Sequence, residues 1–445
     1  MRVMVQLRPT ELPQMSFAVH AEFEKPPADL AALARAGLVV DHEFAPVVLP
    51  AVRAPTGVGM ALALGAPAEF SFEATDVSSL VRGTIADGDA GQAALSELLN
   101  HPQVMGVFAD PVIATTLTCA GTPPIGDASG VAQKLDCAAL HASGCNGAGV
   151  RVAVVDTGIN APYLTARGLP ASIDVPNSFT PAGVPTTPGA HPVEHGTMCA
   201  YDLGIAAPQA MLLDHAVLLS KTPGATQMQG LLSDAVRSYS QLRALLLGDD
   251  GAPLVVTNSW GVFDPAWDFP PGHPGNYTDN PSHPFNLIVA SLESAGADIL
   301  FAAGNCGVEC PDGRCRFPTR PICGANSHPL VLSVGGIDLN GERVGYSSQG
   351  PGRLSAEKPD ICTYTHFKGS EVFGSGEPDS GTSAACPVAA GVVAAIRSRH
   401  TPAALPPAQL RTLIAQTANN LGAPGFDYDY GWGALAPQAL VAALP

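Results

Sequence analysis

From residue 151 onward, short apolar runs alternate with segments of helical character, and this alternation constrains the fold more than any other feature. Residues 151–155, 211–219, 254–258, 299–303 and 331–335 are nearly continuous apolar runs, and 229–247 and 285–295 are helical in pattern. Uninterrupted apolar runs of this length read as strands buried on both faces, rather than the half-buried strands that alternate apolar with polar. Strands alternating with helices predict an α/β fold, a mostly parallel sheet between helices. Ligands in such folds bind beyond the carboxyl ends of the strands. Asp156, Asn305 and the stretch Asn258, Ser259, Trp260, Gly261 all follow such runs closely, so one site is expected to collect them.

The first 117 residues follow a different pattern. A strand over 1–7, a helix over 29–36, extended chain over 38–48, a strand region over 69–85 broken near Asp76, a helix over 90–100 and a strand over 104–108 are expected. The order β-α-β-β-α-β is that of a small ferredoxin-like α+β unit. Residues 111–149 read as loop with one helix over 131–141. Two domains are therefore expected, 1–117 and 118–445, as a chain of 445 residues would suggest.

Charge narrows the partners. The formal charge is −17 and both parts are acidic, which excludes the basic footprint a nucleic acid needs. No stretch reaches the roughly 20 apolar residues of a membrane span. No apolar signal run follows Arg2, which points to the cytoplasm; ten cysteines point to the alternative, a secreted protein.

A serine hydroxyl becomes a useful nucleophile only when a base takes its proton, and a histidine base needs a carboxylate to orient it. Val155-Asp156-Thr157-Gly158 offers the acid, His195-Gly196-Thr197 the base, and Gly381-Thr382-Ser383-Ala384 with Pro387 the nucleophile, in the order Asp, His, Ser. Ala303-Gly304-Asn305 adds an amide donor. These motifs, with Lys358-Pro359-Asp360 and Tyr430-Gly431-Trp432-Gly433, resemble the subtilisin-like serine peptidase family over roughly 146–444.

The resemblance implies a serine endopeptidase acting through an acyl-enzyme, with Asp156, His195 and Ser383 as triad. It makes Asn305 an oxyanion donor and gives Ser259, Trp260 and Gly261 the role of pairing with a polypeptide substrate and walling the pocket for its P1 side chain. The first domain then resembles a propeptide, an intramolecular inhibitor and folding aid removed by self-cleavage within 113–123. The alternatives are a catalytically silent regulatory pseudoprotease and an esterase on the same fold.

No cofactor is required by this chemistry. His191-Pro192-Val193-Glu194-His195 has the H-x-x-E-H zinc spacing, but Pro192 and Gly196 oppose the continuous helix that motif needs. The chain after His195 is too short for the loop that holds calcium in several family members. Cys306, Cys310, Cys315 and Cys323 form a cysteine-rich insertion after Asn305. Its C-x3-C-x4-C-x7-C spacing leaves disulfides, free thiols and a metal open, although structural zinc sites favour C-x2-C pairs. The insertion's charges, Glu309, Asp312, Arg314 and Arg316, are expected to restrict the P1 side chain. Cys199 and Cys386 read as buried apolar thiols.

Overall fold

The computed structural model describes residues 1–8, 30–53, 71–115, 118, 122–220, 228–248 and 251–444. The expected domain boundary at 117 and the expected strand start at 69 lie outside the described residues.

The apolar runs form a sheet of seven parallel strands: β7 (Arg151–Val155), β8 (Ser172–Ile173), β9 (Met211–His215), β11 (Leu254–Asn258), β13 (Asp298–Ala302), β14 (Leu332–Ile337) and β15 (Ile361–Tyr364). Their spatial order is β15-β14-β13-β11-β7-β9-β8. Every adjacent pair is parallel. Residues 217–219, expected to prolong β9, form a short 3-10 turn instead.

Helices cover both faces, as buried strands require. On one side lie α6 (His195–Gly204) and α9 (Thr382–Arg397). On the other lie α7 (Leu232–Gly248) and α8 (Pro284–Ser294). All 16 residues of α9 are buried. Its composition of Ala, Val and Gly suits a helix enclosed all round. A Cβ on Gly391 would lie 2.3 Å from the carbonyl oxygen of Leu203, so glycine is what lets α9 cross α6 so closely. At its far end, Arg397 clamps Asp298 bidentately at 2.5 and 2.7 Å, tying α9 to the start of β13.

The N-terminal unit comprises β1 (Arg2–Leu7), α1 (Leu30–Arg35), β2 (Val39–Val40), β3 (Val47–Arg53), β4 (Ser71–Thr84), α2 (Gly88–Asn100) and β5 (Val104–Ala109). The sheet is antiparallel in the order β2-β4-β1-β5, with β3 also on β4. The expected extended stretch over 38–48 is thus two strands. The expected break near Asp76 is an irregularity within one strand, because the β3–β4 register jumps from Pro50 opposite Val77 to Ala51 opposite Glu73.

Val3, Val5 and Leu7 face the unit's own core with Leu33, Leu95 and Leu98. Met4 and Leu80 face the other way. They join Phe44, Val47 and Leu49 in one apolar cluster with Tyr239 and Leu242 of α7 and Ile288 and Leu292 of α8. The sheet is therefore buried on both faces, the second by docking on the parallel-sheet domain.

Two sequence expectations are corrected between these units. Residues 131–141 are not one helix: Asp136 takes a left-handed conformation (φ 49°), ending α3 (Ala128–Lys134) and capping α4 (Cys137–Ala142). Within the segment expected to be loop, β6 (Val112–Thr115) is a strand between β10 (Gln229–Leu231) and β12 (Trp260–Gly261), antiparallel to both. Residues 229–231, expected to open α7, are therefore strand. Pairing with β6 overrides local helical propensity there.

Candidate active site

The cleft lies at the carboxyl ends of β7, β11 and β13. Asp156 follows β7 and His195 opens α6, and the two side chains meet with His195 Nδ1 2.9 Å from Asp156 Oδ1. A carboxylate only accepts, so Nδ1 carries the ring proton and Nε2 its lone pair. Among the described residues Nε2 has no hydrogen-bond partner, which leaves it available as a base.

The flanking motif residues hold this pair. Thr157 Oγ1 accepts from the Gly196 amide at 2.8 Å, and Thr197 Oγ1 accepts from the Asn160 amide at 3.0 Å. The chain from Asp156 to Asn160 and the His-Gly-Thr segment are thus joined through one threonine from each. A side chain on Gly196 would sit 2.6 Å from the Gly158 carbonyl oxygen, so this contact tolerates only glycine.

Ser383 lies in the first turn of α9, where amide N–H groups point outward. Pro387, four residues on, has no N–H to donate to the Ser383 carbonyl. Ser259 Oγ takes that carbonyl at 3.0 Å and Cys199 Sγ approaches it at 3.6 Å. Ser383 Oγ itself lies 3.5 Å from the Ser259 carbonyl oxygen, a long contact that constrains the hydroxyl little.

Cys199 Sγ also lies 3.7 Å from both Asp156 Oδ2 and His195 Nδ1. Burial, and then the Asp156 carboxylate, push its thiol well above the usual range, so it stays protonated. Burial pushes Cys386 up to about 12. Both are free, buried thiols.

Asn305 follows β13. Its Oδ1 accepts from the Thr382 amide at 2.9 Å and from Thr382 Oγ1 at 3.0 Å, while that hydroxyl accepts from the Gly304 amide at 3.0 Å. With the oxygen so fixed, the amide nitrogen faces away from Thr382. A Cβ on Gly381 (φ 81°) would come within 2.7 Å of it. Ser259, Trp260 and Gly261 border the cleft through their main chain. The Trp260 indole points inward, donates to the Val155 carbonyl at 3.0 Å and packs on Phe285 and Phe301. It therefore contributes to the core rather than to a side-chain pocket.

Behind this site, Asp214 Oδ2 accepts from the amides of Ile159 and Gly189 at 3.1 and 2.7 Å. It joins the chain after Asp156 to the chain before His195. Burial pushes its carboxyl up to about 7 and lowers the neighbouring His191 to about 4. His191 lies outside α6, so His191 and His195 do not share a helix face as the zinc spacing would need. Only residues 205–210 separate α6 from β9.

In the insertion after Asn305, Cys306 and Cys315 form a disulfide and Cys310 is also disulfide-bonded, whereas Cys323 is a buried free thiol. Three of the four sulfurs are thus engaged in disulfides. Glu309 pairs with Arg343, and Arg316 bonds the loop's own carbonyls. Asp312 is buried and pairs with Arg314, whose Nη2 bonds the Thr115 carbonyl.

The cleft is filled by β6. Ala114 lies opposite Gly261 and Thr115 opposite Trp260; on the other side Ile113 and Ala114 face Gly230 and Gln229. Asp110, just upstream, accepts from the amide and hydroxyl of Ser233 at 2.8 Å each. Arg82 bonds Asp234 at 2.8 Å beside it. Burial pushes Asp110 up to about 6 despite these donors. Neither Gln229–Leu231 nor Asp110 was identifiable from sequence, since both acquire their role only through docking.

Residues 147–433 match the model of the subtilase family. Subtilisin E of Bacillus subtilis (strain 168) is 27% identical over 313 residues, 69% of this chain and 69% of its own. Subtilisin of Bacillus pumilus is 26% identical over 314 residues, 69% of this chain and 96% of its own. An alkaline protease of Alkalihalobacillus alcalophilus is 28% identical over 360 residues, 78% of each. With a family match over more than half its length, across the domain that carries the cleft, this chain belongs to the subtilase family of serine peptidases.

Proposed function

We propose that this chain is a serine endopeptidase made as a self-processing zymogen. The observation that carries the reading is the seating of β6: an extended segment of polypeptide, paired main chain to main chain on both sides, runs toward Ser383. A cleft that holds a strand in this way accepts the middle of a chain, which is what an endopeptidase requires.

In the reaction, Ser383 Oγ attacks the carbonyl carbon of the bond to be cut as His195 Nε2 takes its proton, with Asp156 stabilising the imidazolium through Nδ1. The oxyanion is met by the Asn305 amide and the Ser383 main-chain N–H. His195 returns the proton to the leaving amine, and water then hydrolyses the acyl-enzyme by the same steps. The N-terminal unit acts as intramolecular inhibitor. With Thr115 opposite Trp260, one position short of Ser259, the reading puts the first cut at the second bond after Thr115, within the expected 113–123 window.

The test compares wild type with Ser383→Ala. Wild type is expected to lose roughly a quarter of its 45.4 kDa as an N-terminal piece, to react with a fluorophosphonate and to digest casein, while Ser383→Ala does none of these. Equal trimming in both would remove self-processing. Labelling of wild type with ester but no casein turnover would favour the esterase, and no labelling at all the silent homologue.

A further inference from the structure

Arg314, in the insertion, reaches the strand that fills the cleft. Its Nη2 donates to the main-chain carbonyl of Thr115 at 2.5 Å. The guanidinium is held from two directions. Asp312, whose carboxylate is fully buried, accepts from Nε at 3.2 Å and from Nη2 at 2.8 Å, and the ring of Phe263 lies 5.1 Å beneath Cζ.

The loop carrying it is fixed in turn. The Asp312 amide donates to the Asn305 carbonyl at 2.7 Å, the Arg316 amide to the Phe263 carbonyl at 2.9 Å, and the Cys306–Cys315 disulfide closes the loop. The cation is thus tied to the same Asn305 that borders Ser383 and to the chain just beyond Gly261.

We infer that Arg314 is a substrate-binding residue that grips the main-chain carbonyl of the residue second from the cleaved bond. The position follows from the register. Thr115 lies opposite Trp260, one position short of Ser259, whose carbonyl lies against Ser383 Oγ. This rests on the endopeptidase reading above and extends it.

The group recognised is a peptide carbonyl, present in every polypeptide whatever its sequence. Arg314 therefore adds a charge-assisted hydrogen bond next to the reacting carbonyl without selecting a side chain. Pre-ordering by Asp312, Phe263 and the disulfide removes most of the entropic cost of holding a long side chain in place. The insertion acts on the substrate backbone at P2; the expectation that its charges restrict the P1 side chain falls on a position outside the described residues.

The experiment crosses the protein with its substrate. Processed wild type, Arg314→Met and Arg314→Lys are assayed on a tetrapeptide anilide and on its analogue with a thioamide, a poorer acceptor, at the P2 carbonyl. Arg314→Met is expected to lower kcat/KM about 10- to 100-fold on the normal peptide. The thioamide should slow wild type and leave Arg314→Met unchanged, with Arg314→Lys between them.

Equal thioamide penalties in wild type and Arg314→Met, or full activity of Arg314→Met on the normal peptide, would overturn the assignment and confine the contact to the uncut chain. Because Arg314→Met strands the buried Asp312, Asp312→Asn/Arg314→Met is run beside it and should behave as Arg314→Met does. Fluorophosphonate labelling of Ser383 separates the two levels. Unlabelled wild type sinks the endopeptidase reading, whereas equal labelling of all variants with unequal peptide turnover judges Arg314 alone.

Discussion

The floor and the rim of the cleft are built by opposite means. The floor is made from the carboxyl ends of parallel strands and the first turns of two buried helices. Its polar groups are fixed by short bonds to one another: Asp156 to His195, Thr157 to Gly196, Asn305 to Thr382. The rim is made from connections: Gln229–Leu231, which becomes a strand only by pairing, and the insertion after Asn305, which has no regular structure and is held by disulfides and the Asp312–Arg314 pair. Rigidity in the floor comes from close packing around glycines, and in the rim from covalent and ionic ties. Changes in the floor should therefore act on the chemical step, and changes in the rim on binding.

The largest expected effect belongs to the floor. Asn305→Leu keeps the branched side-chain shape but removes an oxyanion donor, and kcat should fall about 10²- to 10³-fold with KM little altered. A loss confined to KM, measured on a peptide anilide, would erase the proposed division between floor and rim.

The next concerns Asp110, which anchors β6 beside the rim strand. Its carboxyl is raised from the ordinary 3.8 to about 6, so its neutral form is favoured in the folded chain. Stability is then lost as pH rises from about 4 through about 6, and the deficit is constant above that, of order 3 kcal/mol. In an uncleavable Ser383→Ala background, Asp110→Asn should gain stability relative to its parent across this window. Urea midpoints at pH 4.5, 5.5 and 7 check it; a pH-independent difference would mean that Asp110 does not titrate in the docked unit.

The smallest effect is expected from the rim's covalent tie. Cys306→Ser/Cys315→Ser leaves Arg314 in place but frees its loop, so ordering must come from binding energy. KM should rise roughly 2- to 10-fold at unchanged kcat. A fall in kcat of the size predicted for Asn305→Leu would show that the loop positions the reacting groups, and the rim would then belong with the floor.

Much of the floor was legible in the sequence because its constraints are local. Asp156 follows a buried strand, and Gly196 and Gly381 sit where a Cβ would collide with Gly158 or Asn305, so these positions announce themselves as short motifs. The rim was not legible in the same way. Residues 229–231 carry helix-compatible side chains and become strand only because β6 pairs with them, and residues 112–115 read as loop until they find two edges to join. The cysteines after Asn305 were visible, but their spacing left disulfide, thiol and metal open.

The sequence by itself determined the α/β class, the parallel strands, the resemblance to subtilases and the residues Asp156, His195, Asn305 and Ser383 as candidates, because each depends on side-chain chemistry within a few positions of a strand end or helix start. Only the tertiary structure decided that Trp260 turns its indole into the core, that Cys199 lies against Asp156, that Asp110 anchors a strand across the cleft, and that Arg314 meets the carbonyl of Thr115, 199 residues away in the chain. Those contacts join segments far apart in the chain, and no local propensity encodes a distance that only the packed fold sets.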